Sequence, residues 1–424
     1  MNKVLIVTYY WPPSGGAGVQ RWLKFSKYLP EFGWEPIILT VDPGCAAYPV
    51  TDLSLKENLP SSIRVYPTPA INYFGIYRKD RSKIPTAGFA NSVDNTLKGK
   101  IFRFIRGNFF LPDPRKGWNK YAFKKACELI ENEGIINVIT TSPPHSTQLI
   151  GLKIKKKYPA LNWIADLRDP WTDIYYYKQF YPTFISKMID QRFEKSVLKK
   201  ADKIITVGVS LKNLFSLKIK GLENKTEVIT NGYDEDDFTG ITPIIPPMFT
   251  ITYVGTLSDI YPIDGFLNAV QIFKDKGNEI ILRFIGTVSK SQKDLIQSKS
   301  GDSILEFIPY VNHTAAIQYM LKTSVLLLII PDHKSNKSII TGKIFEYIAS
   351  GKPIVCIGPL DGDAAGIIGN KEYGKTFSYM DSKGISEYLA SLISEKPVLE
   401  RTSSAVYSRK ELTGKIIPLL SNRN

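Results

Sequence analysis

The sequence predicts an α/β protein built from two Rossmann-like, doubly wound domains. Three observations carry this. The 424 residues exceed one ordinary core, and two domains of roughly 200 residues each are the expectation. Strand-length apolar runs alternate with helix-spaced segments along most of the chain, as in parallel sheets covered by helices. The rhythm breaks once, at 241–249, where ITPIIPPMF reads as a linker. The expected domains are 1–240 and 248–404, with a C-terminal helix near 405–424 crossing back to the first.

In order, a strand over 3–9 runs into Pro12-Pro13-Ser14-Gly15-Gly16-Ala17-Gly18. A helix over 19–32 follows, stopped by Gly33, and then a strand over 36–41. Gly16-Ala17-Gly18 begins a dinucleotide fingerprint, and Asp42 lies at a suitable distance. Arg21 stands where the third glycine belongs, so the turn reads as backbone lying close to a ligand rather than as an NAD site. A helix over 118–133, a strand over 137–140, a helix over 147–157 and a strand over 162–165 come next. Two polar turns, Thr141 to Ser146 with His145, and Asp166-Leu167-Arg168-Asp169, sit at carboxyl ends of strands, where open α/β sheets bind ligands. The first series closes with a charge-alternating helix over 182–200, strands over 203–207 and 226–229, and a helix over 210–217.

The second series starts with a strand over 250–254 ending in Gly255-Thr256. Strands over 280–285, 304–308, 325–330 and 354–357 alternate with helices over 265–275, 292–298 and 313–322. Between the last two strands lies TGKIFEYIASGKPIVCIG, residues 341–358. Thr341 is placed to cap this helix, Gly351 to end it in a left-handed turn, and Pro353 to forbid continuation. Lys343 and Glu346 lie one turn apart at its start. A helix start with a lysine suits phosphate, and a carboxylate suits the paired hydroxyls of a ribose. The plain alternative is an exposed ion pair.

Net charge is +15 and the pI about 9.4, which suits acidic partners. Cys45, Cys127 and Cys356 are scattered, which fits a reducing compartment, and no His or Cys spacing suggests a metal. Asp361-Gly362-Asp363 reads as a turn rather than a metal motif. The N-terminal apolar run is too short for a signal peptide, and no stretch is long enough to span a membrane. Residues 98–118, KGKIFRFIRGNFFLPDPRKGW, interleave basic with apolar and aromatic side chains. Arg103, Arg106 and Lys116 are therefore expected at an acceptor or anionic membrane surface. A lobe packed on the core and a nucleic-acid face are the alternatives.

With these motifs in order, the chain resembles family 4 of the retaining glycosyltransferases (group 1 type), in the GT-B fold. The glycine turn, ADKIITVGVSLKNLF, VITNGYDEDDF, ITYVGTL and GKIFEYIASGKPIV carry the resemblance. It implies two domains facing a cleft, a nucleotide-sugar donor as substrate, no cofactor, no metal and no nucleic-acid partner. By motif, Glu346 would hold the donor ribose. Ser338, Ile340, Thr341 and Gly342 would meet diphosphate and sugar, with Gly255 and Thr256 nearby and Asn312 near the base. Gly15 and Gly16 would approach the phosphates, and His145 the transferred sugar. The family carries Arg and Lys where Thr256 and Tyr261 stand here, and a first glutamate where Ser338 stands. Lys343 is the expected replacement cation, with Arg168 or Lys352 assisting, and Asp166 and Asp169 are placed either to position an acceptor hydroxyl or to pair with Arg168. Through the family, the resemblance suggests surface-polysaccharide or glycolipid assembly. With the charge and composition, it suggests a cytoplasmic location at the inner face of the plasma membrane. A nucleotide-sugar epimerase of the same fold and a non-catalytic nucleotide-sugar-binding protein are the rival functions.

Overall fold

The computed structural model describes residues 1–53, 55, 60, 62–73, 96–241, 244–369, 373–395 and 401–421. It divides into two units, Met1–Thr230 with Arg409–Asn424, and Asn231–Ser408. Thr242 and Pro243 of the expected linker lie outside the described residues.

The first unit is one parallel sheet of seven strands. They are β1 (Asn2–Val7), β2 (Trp34–Val41), β3 (Arg64–Thr68), β4 (Asn137–Ser142), β5 (Asn162–Leu167), β6 (Lys203–Thr206) and β7 (Thr226–Val228), in spatial order β3-β2-β1-β4-β5-β6-β7. Successive side chains of a strand point to opposite faces, and both faces are apolar. Leu5 and Val7 enter one core, while Val4 and Ile6 enter the other. Such two-sided burial is the mark of a parallel sheet with helices on both faces. The order reverses between β1 and β4, which makes their carboxyl ends the switch point.

The second unit repeats the plan with six parallel strands. They are β8 (Thr250–Val254), β9 (Ile281–Ile285), β10 (Leu305–Ile308), β11 (Val325–Ile329), β12 (Ile354–Ile357) and β13 (Gly374–Phe377), ordered β10-β9-β8-β11-β12-β13. Val325, Leu327 and Ile329 face one core, and Leu326 and Leu328 the other. Its switch point lies between β8 and β11. The two-domain Rossmann-like architecture is thus as the sequence predicts.

Several boundaries differ for local reasons. Pro30 cannot continue a ladder of helical hydrogen bonds, so the first helix is Ala17–Tyr28 and a 3₁₀ turn, Leu29–Phe32, leads to left-handed Gly33. The C-terminal helix is likewise broken, into Arg401–Tyr407, Arg409–Gly414 and Ile417–Leu419. Leu412, Ile416 and Leu420 pack into the first unit's core, and the Asn137 amide and Ser421 backbone exchange two hydrogen bonds of 2.9 Å. Sequence reading missed the edge strands β3 and β13 and the helices Asp363–Gly369 and Ser382–Glu395. The helix Phe184–Lys200 carries alternating charge yet buries Asp190 and Glu194.

Candidate active site

In the second unit the helix Lys343–Ser350 follows β11 and leads into β12. Ile344, Phe345 and Ile348 are buried, and Gly351 ends it at φ 68°. Thr341 does not cap it. Its hydroxyl is buried and has no hydrogen-bond partner among the described residues, and Gly342 takes the capping position with helical dihedrals.

Lys343 does not point to solvent as one member of an exposed pair would. Its amine lies 4.1 Å from the centre of the Tyr253 ring, on β8. It also stands beside Gly255, where a Cβ would come within 3.0 Å of Nζ and where φ is +126°. Only a glycine meets both demands without strain. Lys343 therefore reaches from the helix after β11 to the carboxyl end of β8, across the switch point. Burial pushes its amine down to about 7, against the pull of Glu346. Burial also raises the hydroxyls of Tyr253, whose ring lies under this amine, and of Tyr261.

Glu346 is about one-quarter exposed and bonds through Oε1 to Nε2 of His313 at 2.8 Å. His313 Nδ1 lies 3.9 Å from Oδ2 of Asp237. Spacing alone does not pair Glu346 with His313: the two are 33 positions apart and meet because their helices pack side by side. Asn312 caps the helix His313–Leu321, accepting from the Ala315 amide at 2.9 Å. Ser338 Oγ donates to the Ser335 carbonyl at 3.1 Å, and Ile340 is partly buried. Thr256 gives its carbonyl to the Tyr253 hydroxyl at 2.7 Å. Asp361 pairs with Lys337 and Asp363 opens a helix, while Lys352 Nζ donates to the Ile244 carbonyl at 3.3 Å, so none of these joins the Lys343 cluster. Among the described residues no three His, Cys, Asp or Glu side chains gather as metal ligands.

In the first unit Gly15 is closely packed rather than open. Its amide donates to the Val50 carbonyl at 2.9 Å, and a Cβ would meet Val50 at 3.0 Å. Gly16, at φ +89°, faces open space. Arg21, in place of the third glycine, is fully buried against Asp166 at 3.1 Å and also donates to the Ile229 and Thr230 carbonyls. Trp22 Nε1 and Thr141 Oγ1 complete the Asp166 carboxylate at 2.7 and 2.8 Å. Asp166 therefore pairs with Arg21 rather than Arg168. Arg168 instead donates to Ser142 and Gly18 carbonyls at 3.0 and 3.1 Å, tying together the two turns of the switch point.

His145 stacks on Trp171, with centroids 4.9 Å apart, and its Nδ1 is buried without a hydrogen-bond partner among the described residues. Burial pushes the imidazole down to about 4, so it is neutral near pH 7. It lines a cavity of about 80 Å³ with Arg106, Asp113, Arg115, Tyr176 and Asp190. Asp169 lies outside that lining; burial raises its carboxyl and Arg168 opposes the shift. Sequence reading missed Asp190, which accepts from Trp171 Nε1 at 2.8 Å and is raised to about 7 by burial. The basic lobe also differs from expectation. Arg106 turns inward, 4.2 Å from the Phe180 ring centre, and Lys116 folds onto the Phe109 carbonyl at 2.8 Å. Of the three expected surface cations, Arg103 alone lies along an exposed ring, that of Tyr181.

The whole chain matches solved structures at low identity. TarM aligns with a TM-score of 0.62 at 10% identity, over 100% of this chain and 99% of that one. Anabaena Alr3699/HepE, solved in complex with UDP and glucose, aligns at 0.59 and 12%, covering 100% of both chains. A putative UDP-N-acetylglucosamine 2-epimerase from Listeria monocytogenes aligns at 0.54 and 10%, over 98% of this chain and 94% of that one. The fold is GT-B. No known sequence family and no curated protein matches the chain.

Proposed function

We propose that the protein is a retaining, metal-independent glycosyltransferase of the family 4 type. It moves a sugar from a nucleotide-diphosphate sugar to an acceptor in surface-polysaccharide or glycolipid assembly, at the cytoplasmic side of a membrane. The observation that carries this is the Lys343 amine at the switch point of a GT-B unit, beside Gly255 and next to Thr256. That is where the family's missing cation would stand.

Breaking a sugar–phosphate bond leaves negative charge on the diphosphate, and fixed donors and cations stabilise it most when no water must be rearranged. Lys343 and the backbone amides of the first turn of its helix, which have no partner within the helix, supply these. A diphosphate beside the Lys343 amine favours its protonated form, so donor binding charges the group that chemistry needs. Glu346 has one oxygen on His313, and the other accepts a ribose hydroxyl. On the first unit, we assign His145 to the transferred sugar and Asp169 to the acceptor hydroxyl. A neutral imidazole with an unpartnered nitrogen forms a hydrogen bond without adding charge.

Incubating the protein with UDP-, GDP- and ADP-sugars and following nucleotide release tests this. The account expects slow release from one donor class, lost in Lys343→Met. The epimerase reading, favoured by the Listeria fold relative, expects an epimerised free donor instead. Donor binding without turnover in the presence of any acceptor extract supports the non-catalytic reading.

A further inference from the structure

The helix Leu97–Phe109 and the start of Phe184–Lys200 present apolar side chains outward. Phe109 is 67% exposed, and Ile101, Phe102, Phe104 and Ile105 are exposed beside it. On the second helix Phe184 is 82%, Ile185 63% and Met188 53% exposed. A surface helix ordinarily turns such residues inward, and contiguous outward apolar patches of this kind mark interaction sites.

The two segments are joined into one surface. Asn108 accepts from the Thr183 amide at 2.7 Å and donates to the Tyr181 carbonyl at 3.0 Å. Gly107 crosses so close that a Cβ would lie 2.4 Å from the Phe180 carbonyl oxygen. Arg103 lies over the Tyr181 ring at 5.7 Å. The charge on this surface has one sign. Lys98, Lys100 and Arg103 accompany the first helix, and Lys178 and Lys187 the second. No acidic residue occurs over 97–112, and Asp190, the single one over 174–193, is buried.

We infer that these two segments together form a face that seats on an anionic lipid bilayer. Outward Phe, Ile and Met enter the headgroup boundary while the lysines meet anionic headgroups. Nucleic acid would leave Ile185 and Met188 without a role, because bases stack on aromatic rings. The same joint, through Gly107, Phe180 and Pro182, lines the cavity that holds His145. A bilayer seated here brings a lipid-linked acceptor to that cavity. This last step rests on the proposed glycosyl transfer; membrane binding itself does not.

Flotation of the full chain with vesicles tests the inference. The probes are phosphatidylcholine alone and phosphatidylcholine with about one part in three phosphatidylglycerol. Binding is expected to the anionic vesicles only, and to weaken as salt rises from about 0.1 M to about 1 M, which shortens the Debye length from about 10 Å to about 3 Å. The double variant Phe184→Ser, Ile185→Ser changes only outward side chains and should bind about tenfold more weakly. Lys98→Gln with Lys100→Gln should weaken binding mainly at low salt. Nucleotide release, measured separately without lipid, should be unchanged in both, so a failed transferase reading and a failed membrane reading are distinguishable. Equal flotation of the Phe184/Ile185 variant overturns the inference. So does absence of flotation, or a concentration-dependent dimer that the same variant abolishes.

Discussion

Replacing Lys343 by Met keeps an unbranched side chain against Tyr253 and removes the charge. A fall from the ordinary 10.5 to about 7 corresponds to roughly 5 kcal/mol, at about 1.4 kcal/mol per pH unit. By linkage over the same window, roughly 5 kcal/mol is the upper limit of the cost to the ligand-free fold. The unfolded chain holds this proton up to 10.5, whereas the folded chain releases it near 7. Between those values the unfolded state binds more protons, so wild-type stability falls as pH drops through the window. The Met variant lacks this term. Its advantage is full below about pH 7 and gone near pH 10.5. Urea unfolding of the ligand-free protein across that range reads it. Calorimetric titration with inorganic pyrophosphate reads the other half: wild-type affinity falls with rising pH above about 7, up to tenfold per unit, because the amine must be protonated. The variant's affinity is about a hundredfold weaker near neutral pH and flat across this range. A variant that is less stable at every pH, or that binds pyrophosphate as the wild type does, refutes the reasoning.

Other outcomes follow from named contacts. Gly255→Ala puts a methyl 3.0 Å from Lys343 Nζ at a φ of +126°, so stability should drop by about 1–3 kcal/mol. Pyrophosphate affinity should fall with it, and adding Lys343→Met should cause no further loss. Glu346→Gln should weaken a nucleoside diphosphate about tenfold while leaving pyrophosphate unchanged, since only the former brings a ribose. Arg21→Met strands the Asp166 carboxylate in the core, a loss of about 3–5 kcal/mol, and Arg21→Met with Asp166→Asn should recover part of it on urea unfolding. His145, followed by NMR, should titrate near 4 rather than 6.5, and because the folded form resists protonation, stability should fall as pH drops from 6.5 to about 4.

The sheets were legible because most strands are buried on both faces and read as unbroken apolar runs. Two of the four edge strands, β3 and β13, were not. Arg64–Thr68 holds Pro67 and an arginine, and Gly374–Phe377 is four residues with one lysine, so neither shows a buried pattern. The end of the Lys343–Ser350 helix was legible from Gly351 and Pro353, whereas its start was not, because Gly342 and not Thr341 takes the capping position. What spacing could not give is direction. Lys343 turns to Gly255, 88 positions away in sequence, and Arg21 turns to Asp166. Both pairings are made by sheet order, which brings together ends of strands distant in the chain. Alternating charge misled for the same reason: Asp190 and Glu194 look solvated by spacing, yet they face Trp171 and Lys218.

The most direct measurement is amide hydrogen exchange with and without a bound nucleoside diphosphate, which reports where the ligand slows local opening. The account predicts protection at Gly255, Thr256 and Thr341 to Glu346, and its loss in Lys343→Met. Protection confined to other segments, with those amides exchanging at the ligand-free rate, would contradict it.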